Sequence, residues 1–273
     1  MPRLPVSAGA TAKLLREIAA SGAGEHVVAV GGAPDLAPVL RQQFLRGRAE
    51  PGAVRLGGPE EAGVYVHVLS RELDDEDVAV LRRAHYAAVP ALALAVGFAE
   101  ETTIPYVLAT DVIRVGAGEG FPLETIARAI AARLGEHGAP LAAQVPLLRE
   151  AVGAQLLASF ARKNGLLAAA AWLPGADLPV LSLNELRLVL RLAQAYGAAG
   201  EVAERLPELA ATLGAGFGLR ALAREILDLL PGAGWAVKVI VAYAGTRALG
   251  EAARLRFALA PTPRPGEAAR AWP

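Results

Sequence analysis

The chain has 273 residues, no net charge and no cysteine. That length supports one large domain or two modest ones, each able to bury a core. The lack of cysteine excludes a disulfide framework, a thiolate metal site and a cysteine nucleophile.

Charge is unevenly spread. Residues 1–139 carry 13 basic against 17 acidic side chains, a net of −4, and the remaining 14 and 10 give residues 140–273 a net of +4. The asymmetry suits two mutually attracting domains, or a helical half leaning on an anionic membrane surface. It is too mild for a nucleic-acid partner, which needs a clear basic patch. The N-terminus "MPRLPVSAGATAKLLREIAA" lacks an apolar core of signal-peptide length, so a cytoplasmic location is expected. The hydrophobic fraction of 54% leaves association with the inner membrane open.

In chain order, "TAKLLREIAA" at 11–20 predicts a short helix. "VVAV" at 27–30 predicts a buried strand, and a helix follows over 35–46, with Pro34 and Pro38 crowding its first turn, where proline is tolerated. "AVRL" at 53–56 reads as a short strand and "VYVHVL" at 64–69 as a strong one. The next helix opens on Asp74 as N-cap with Asp77 three residues on, an acidic first turn that suits the helix dipole. "PALALAV" at 90–96 and "IPYVLA" at 104–109 predict two more strands, and residues 122–135 a helix stopped by glycine. Nearly wholly apolar strands alternating with helices predict a three-layer, parallel-sheet α/β domain over residues 1–139.

Beyond residue 140 the pattern turns helical. A second, all-α domain is expected over 140–260, with breaks at Pro146 and near Asn164–Gly165, and a disordered proline-rich tail over 261–273. "Leu-Pro-Gly-Ala" precedes a long apolar helix twice, at 173–176 and 230–233, which suggests two related hairpins. Ser182 and Glu185 have capping-box spacing for a helix start. Asn184, Arg187, Arg191 and Gln194 recur at three and four residues and form one polar stripe. Arg187, Arg191 and Gln194 are the candidate contacts to a partner or to lipid phosphates. Asp177 reads as a helix cap, Lys238 as a snorkelling side chain, and Thr246 and Gly250 as small residues for close helix packing. Neither apolar run, 166–183 or 226–249, is a clean membrane span, since each is interrupted by charge or proline.

The strand, glycine turn and helix in "VVAVGGAPDLAPVLRQQF" have the local order that holds phosphate in nucleotide hydrolases. A phosphate-binding loop needs G-x-x-x-x-G-K-[ST]. Counted from Gly31, the last three positions are Leu36, Ala37 and Pro38; counted from Gly32, they are Ala37, Pro38 and Val39. Neither frame supplies a cation or a hydroxyl, proline has no N–H to offer, and Asp35 would oppose a triphosphate. Nor does "GGAPDL" fit a dinucleotide turn. Ser70, Thr102, Thr103 and Thr110 stand near expected strand ends without a histidine or acid at triad spacing. The four histidines, His26, His67, His85 and His137, fall in no ligand spacing. No catalytic residue, cofactor or metal site is therefore expected.

Residues 25–135 resemble an Era-like small GTPase domain without its signatures. "VYVHVL", "SRELDDEDVAVLRRA" and "PALALAV" follow the order of that family's third strand, its helix and its guanine-reading strand. Val96–Ala99 stand where the family has Asn-Lys-x-Asp, and "RLGGPEEAG" lacks the aspartate of Asp-x-x-Gly. Residues 165–257 resemble the family of unknown function found C-terminal to Era-like GTPase domains, similar to YcjF-like membrane proteins. That likeness rests on "LPGADLPVLSLNELRLVLRLAQAYG" and "LLPGAG…AYAGTRALGEAA", with Glu185 where the family commonly has Gln. The resemblance implies a bacterial pseudo-GTPase acting as an interaction or scaffold module, with an intact GTPase, a membrane or a second copy as partner. Two alternatives stay open: a nucleotide hydrolase with an atypical loop around Gly31 and Gly32, and a peripheral membrane protein whose hairpins insert.

Overall fold

A computed structural model describes residues 8–22, 27–98, 103–170, 178–198 and 234–259. The chain divides into two compact units: Gly24–Val152, and Met1–Ala23 together with Gly153–Pro273. The division thus falls elsewhere than the expected boundary at 139/140. The N-terminal helix joins the helical unit, and residues 140–152 stay with the α/β one. The tail over 261–273, both Leu-Pro-Gly-Ala stretches and Asp177 lie outside the described residues.

The α/β unit is built on β1 (Val28–Gly32), β2 (Val54–Leu56), β3 (Val64–Leu69), β4 (Ala91–Val96) and β5 (Val112–Val115), all parallel, in the order β2-β1-β3-β4-β5. Parallel strands covered on both faces can be apolar throughout, and all six residues of β3 are buried. Helix α1 (Ala8–Gly22) precedes the sheet in sequence; α2 (Ala37–Arg46) links β1 to β2, and α3 (Asp75–Tyr86) links β3 to β4. These two connections run in opposite directions along the sheet, so right-handed crossovers place α2 and α3 on opposite faces. Leu81 and Ala84 of α3 accordingly pack with Ala29, Tyr65, Leu69 and Ala93 on one face. Helix α4 (Leu123–Leu134) buries Ile126 and Ile130 and stops at Gly135, whose φ of 54° favours glycine. The short α5 (Ala139–Gln144) closes the unit.

One expected strand is not there. Residues 104–109 form turns, and Ile104 is buried beneath them. The edge strand is β5, "VIRV", which hydrogen-bonds to β4 with Leu94 opposite Ile113.

In the helical unit, α6 (Arg149–Ala170), α7 (Leu178–Ala195) and α8 (Gly234–Leu259) pack together with α1. The expected break at Asn164–Gly165 does not occur. Gly165 lies inside α6 and leaves room for α8, where an added Cβ would sit 3.6 Å from Val239 and 3.7 Å from Tyr243. The chain does break at Pro146, before α6. Ser182 and Glu185 are not a cap: α7 has already begun at Leu178, and both side chains are buried within it. Gly250 is where α8 meets its neighbours most closely, since a Cβ there would lie 2.9 Å from Leu188 and 3.1 Å from Leu157. Leu14 and Ile18 of α1 are buried, each worth about 1.5–3 kcal/mol relative to exposure.

Candidate functional site

The turn that follows β1 lies where the strand order reverses, the place at which doubly wound sheets bind ligands. Three of its backbone donors are committed within the protein. Ala33 N–H donates to Val68 O at 2.7 Å, and the Leu36 and Ala37 N–H groups both donate to Ala33 O, at 3.2 and 2.9 Å. Pro34 and Pro38 have none. Only Ala33–Leu36 separate strand from helix, so the chain turns directly and no cradle opens. Gly32 sits at φ 91° against the backbone of Val68, with Val68 N 2.8 Å from where a Cβ would be. A Cβ on Gly31 would collide with the Tyr65 hydroxyl and lie 2.7 Å from Gly57 O. Both glycines therefore serve close backbone packing. Asp35 is exposed and adds negative charge at the mouth of the turn.

Beneath the turn runs a buried polar chain that sequence reading missed. Tyr65 and His67 are two apart on β3, so they share a face of the sheet, the face that α3 covers. His67 Nε2 lies 3.0 Å from Asp77 Oδ1, and His67 Nδ1 lies 2.8 Å from Tyr65 Oη. A carboxylate only accepts, so Nε2 carries the proton and Nδ1 accepts from the tyrosine hydroxyl. The other Asp77 oxygen accepts from Arg71 Nη1 at 3.0 Å and from Asp74 N–H at 3.2 Å, while Asp74 Oδ1 accepts from Asp77 N–H at 2.9 Å. The last two bonds are the capping box at the start of α3. Burial holds the His67 imidazolium below its ordinary pKa, against the pull of Asp77. Burial, with the Asp77 charge, likewise pushes Tyr65 up. His67 is 1% exposed. The buried groups Tyr65, His67 and Asp77 all have hydrogen-bond partners, and the chain ties β3 to α3. A tyrosine and a histidine at alternate positions of an otherwise apolar strand were the available signal, since two such buried groups must find partners.

The polar stripe on α7 is brought together as expected, but it faces α1. Arg187 Nη2 pairs with Glu17 Oε2 at 2.9 Å, Arg191 Nη1 donates to Ser21 Oγ at 2.6 Å, and Gln194 Nε2 donates to Ile18 O at 3.2 Å. Arg191 and Gln194 are buried and each donates a hydrogen bond to α1, so neither stands at the surface as an open contact for lipid or another protein. Arg187 is half-buried, and its Nε meets no acceptor among the described residues.

Asn184 turns away from that seat. Its Nδ2 donates to Asn164 Oδ1 at 3.1 Å; Asn164 Nδ2 donates to Thr246 Oγ1 at 2.9 Å; the Thr246 hydroxyl donates to Glu185 Oε1 at 3.2 Å. One hydrogen-bonded chain thus crosses α7, α6 and α8. Asn164 and Thr246 are fully buried. Thr246 is more than a small packing residue, since it both accepts and donates at the helix crossing.

No family model, no curated protein and no solved structure matches the chain. Among the described residues no group of three or more histidine and acidic side chains is placed to hold a metal ion. No described helix is long and apolar enough to cross a membrane.

Proposed function

We propose that the chain is a non-catalytic interaction module whose α/β unit is a pseudo-GTPase. One observation carries this reading: the Ala33 amide at the strand–helix turn is bonded to Val68 O. A phosphate cradle works by presenting such amides, free, to an anion, with a lysine to neutralise it. Here the Ala33, Leu36 and Ala37 amides are bonded within the chain, Pro34 and Pro38 have none to give, and Asp35 stands exposed. Calorimetric titration of GTP, GDP and ATP with magnesium is the test. No binding in the micromolar range is expected, and micromolar binding of any one would end the proposal. The atypical-hydrolase alternative loses its natural probe, because altering Gly31 or Gly32 breaks packing before it touches any chemistry.

A second reading, association with an anionic membrane surface, has its own support. Leu166 and Leu167 near the end of α6, Val180 near the start of α7 and Ile240 near the start of α8 are exposed, from 36% to 72%. The bonds of Asn164 to Asn184 and to Thr246 bring these helix ends to the same side of the bundle. Arg162, Lys163 and Arg247 are exposed on the same helices. An apolar end with a basic collar suits the interface of an anionic bilayer. Sedimentation with phosphatidylserine vesicles is expected to fall with Leu166→Asp and Ile240→Asp. Unchanged sedimentation would remove this reading.

A further inference from the structure

We infer that the β2 edge of the sheet is a docking site for an extended segment of another protein, and that the segment carries an acidic residue to pair with Arg55. The inference rests on the interaction-module reading and gives the module a partner of stated chemistry.

Strand β2 has a neighbour on one side only, β1. Peptide groups alternate in direction along a strand. The Gly57 N–H donates to Val30 O of β1 at 3.0 Å. Arg55, two residues earlier, therefore also turns its peptide groups to β1, while Val54 and Leu56 turn theirs to the open side. Arg41 of α2 meets one of them, its Nε donating to Val54 O at 2.9 Å. No described residue bonds the outward groups of Leu56 by its backbone, and the Leu56 side chain is 45% exposed. An added strand takes such groups by main-chain pairing, and side chains at alternate positions decide which strand is taken.

Arg55 supplies that choice. Its register places it on the face of Ala29 and Tyr65, the one that α3 covers. The residue is half-buried, and its Nη2 is buried with no acceptor among the described residues. A buried guanidinium nitrogen left without an acceptor is costly. Glu60, the first acid after β2, pairs with Arg83 instead, at 3.2 Å. The Arg55 side chain runs along the strand towards Gly57: a Cβ added there would lie 4.0 Å from Nη1 and meet nothing else within that distance. Gly57 is exposed, so the guanidinium borders an open space that glycine keeps clear. A carboxylate reaching over Gly57 from an added strand completes a charge-assisted pair there. An apolar or basic residue at that position covers the cation and leaves it unpaired, which opposes binding. One side chain thus rejects most strands and admits an acidic one.

The test uses the isotopically labelled full chain and the peptide Thr-Val-Glu-Val-Thr, blocked at both ends, with its Gln counterpart as control. Nuclear magnetic resonance follows the Leu56 amide. The acidic peptide is expected to shift that amide as a new hydrogen bond forms, and to bind at least about tenfold more tightly than the Gln peptide. In Arg55→Gln the two peptides should bind alike. In Leu56→Pro neither should bind, since the outward N–H is lost while the ladder to β1 keeps its bonds. The inference is overturned if millimolar acidic peptide leaves the Leu56 amide unmoved, or if the Gln peptide binds the unaltered chain equally well. It is overturned too if Arg55→Gln keeps the preference, or if acetate alone gives the same shift, which marks an anion site without a strand. The two-peptide comparison uses the unaltered chain and needs no variant to fold. No nucleotide enters the measurement, so binding of GTP would defeat the pseudo-GTPase reading and leave this result standing.

Discussion

The two units bury polar groups in opposite ways. In the α/β unit the chain Tyr65–His67–Asp77 joins a strand to the helix that follows it, over a sequence separation of ten residues between His67 and Asp77. In the helical unit the chain Asn184–Asn164–Thr246–Glu185 joins segments 20, 82 and 61 residues apart. The first reinforces a neighbour contact that the crossover already dictates. The second supplies what long, apolar helices lack, a reason to stop at one register. Such helices pack on any apolar face, whereas a buried hydrogen-bonded chain is satisfied in one alignment only. Backbone pairing therefore fixes geometry in one unit, and side-chain polarity fixes it in the other.

That contrast can be broken at named positions. The largest effect is expected from Gly32→Val, which forces a β-branched residue into a positive φ against the Val68 backbone. A loss of about 3 kcal/mol or more of α/β stability should follow, read from urea unfolding. Next is Asp77→Ala, which removes half of the capping box of α3, leaving the Asp74 N–H without its acceptor, and strands His67 Nε2–H as well. About 2–4 kcal/mol should be lost in the same assay, and Asp77→Asn should recover part of it. Thr246→Val keeps the shape but leaves Asn164 and Glu185 each short of one bond, for about 1–3 kcal/mol. Pairing it with Asn164→Leu should cost less than the sum of the two, because the changes share one chain of bonds. Additive losses would show that the helical polar chain does not act as a unit.

The smallest effect is a pH dependence confined to the α/β unit. His67 has a folded pKa below its ordinary 6.5 because burial disfavours the charged ring. The unfolded chain therefore binds the proton more readily, and the contribution is whole above pH 6.5. It is lost as pH falls through that value towards the lower folded one. His67→Gln should flatten this part of the stability profile. An unchanged profile would place the titration elsewhere.

Much of the α/β unit was legible because its strands are continuous apolar runs and its acidic turn announces a helix start. Asp74 and Asp77 are the cap that their spacing predicts. The edge strand was not legible: "VIRV" is short and carries Arg114, whereas "IPYVLA" is more apolar yet bends at Pro105 and at Tyr106, whose φ is 65°. Hydrophobic period identifies a helix face but not what covers it, so nothing in "TAKLLREIAA" told that α1 belongs with α7. The stripe of Arg187, Arg191 and Gln194 was visible as a stripe for the same reason that its occupant was not. Asn164–Gly165 looked like a helix end because local propensity opposes both residues; tertiary bonds to Asn184 and Thr246, and the approach of α8, override it. The closed turn at Gly31–Gly32 was legible in part, through its missing lysine and hydroxyl. That Val68 takes the Ala33 amide follows from the pairing of β1 with β3, which no local stretch of sequence records.

The way the chain divides has an optical corollary. All three tryptophans, Trp172, Trp235 and Trp272, belong to the segment beyond Val152. The Gly24–Val152 unit thus has no indole of its own to report the melting of its sheet.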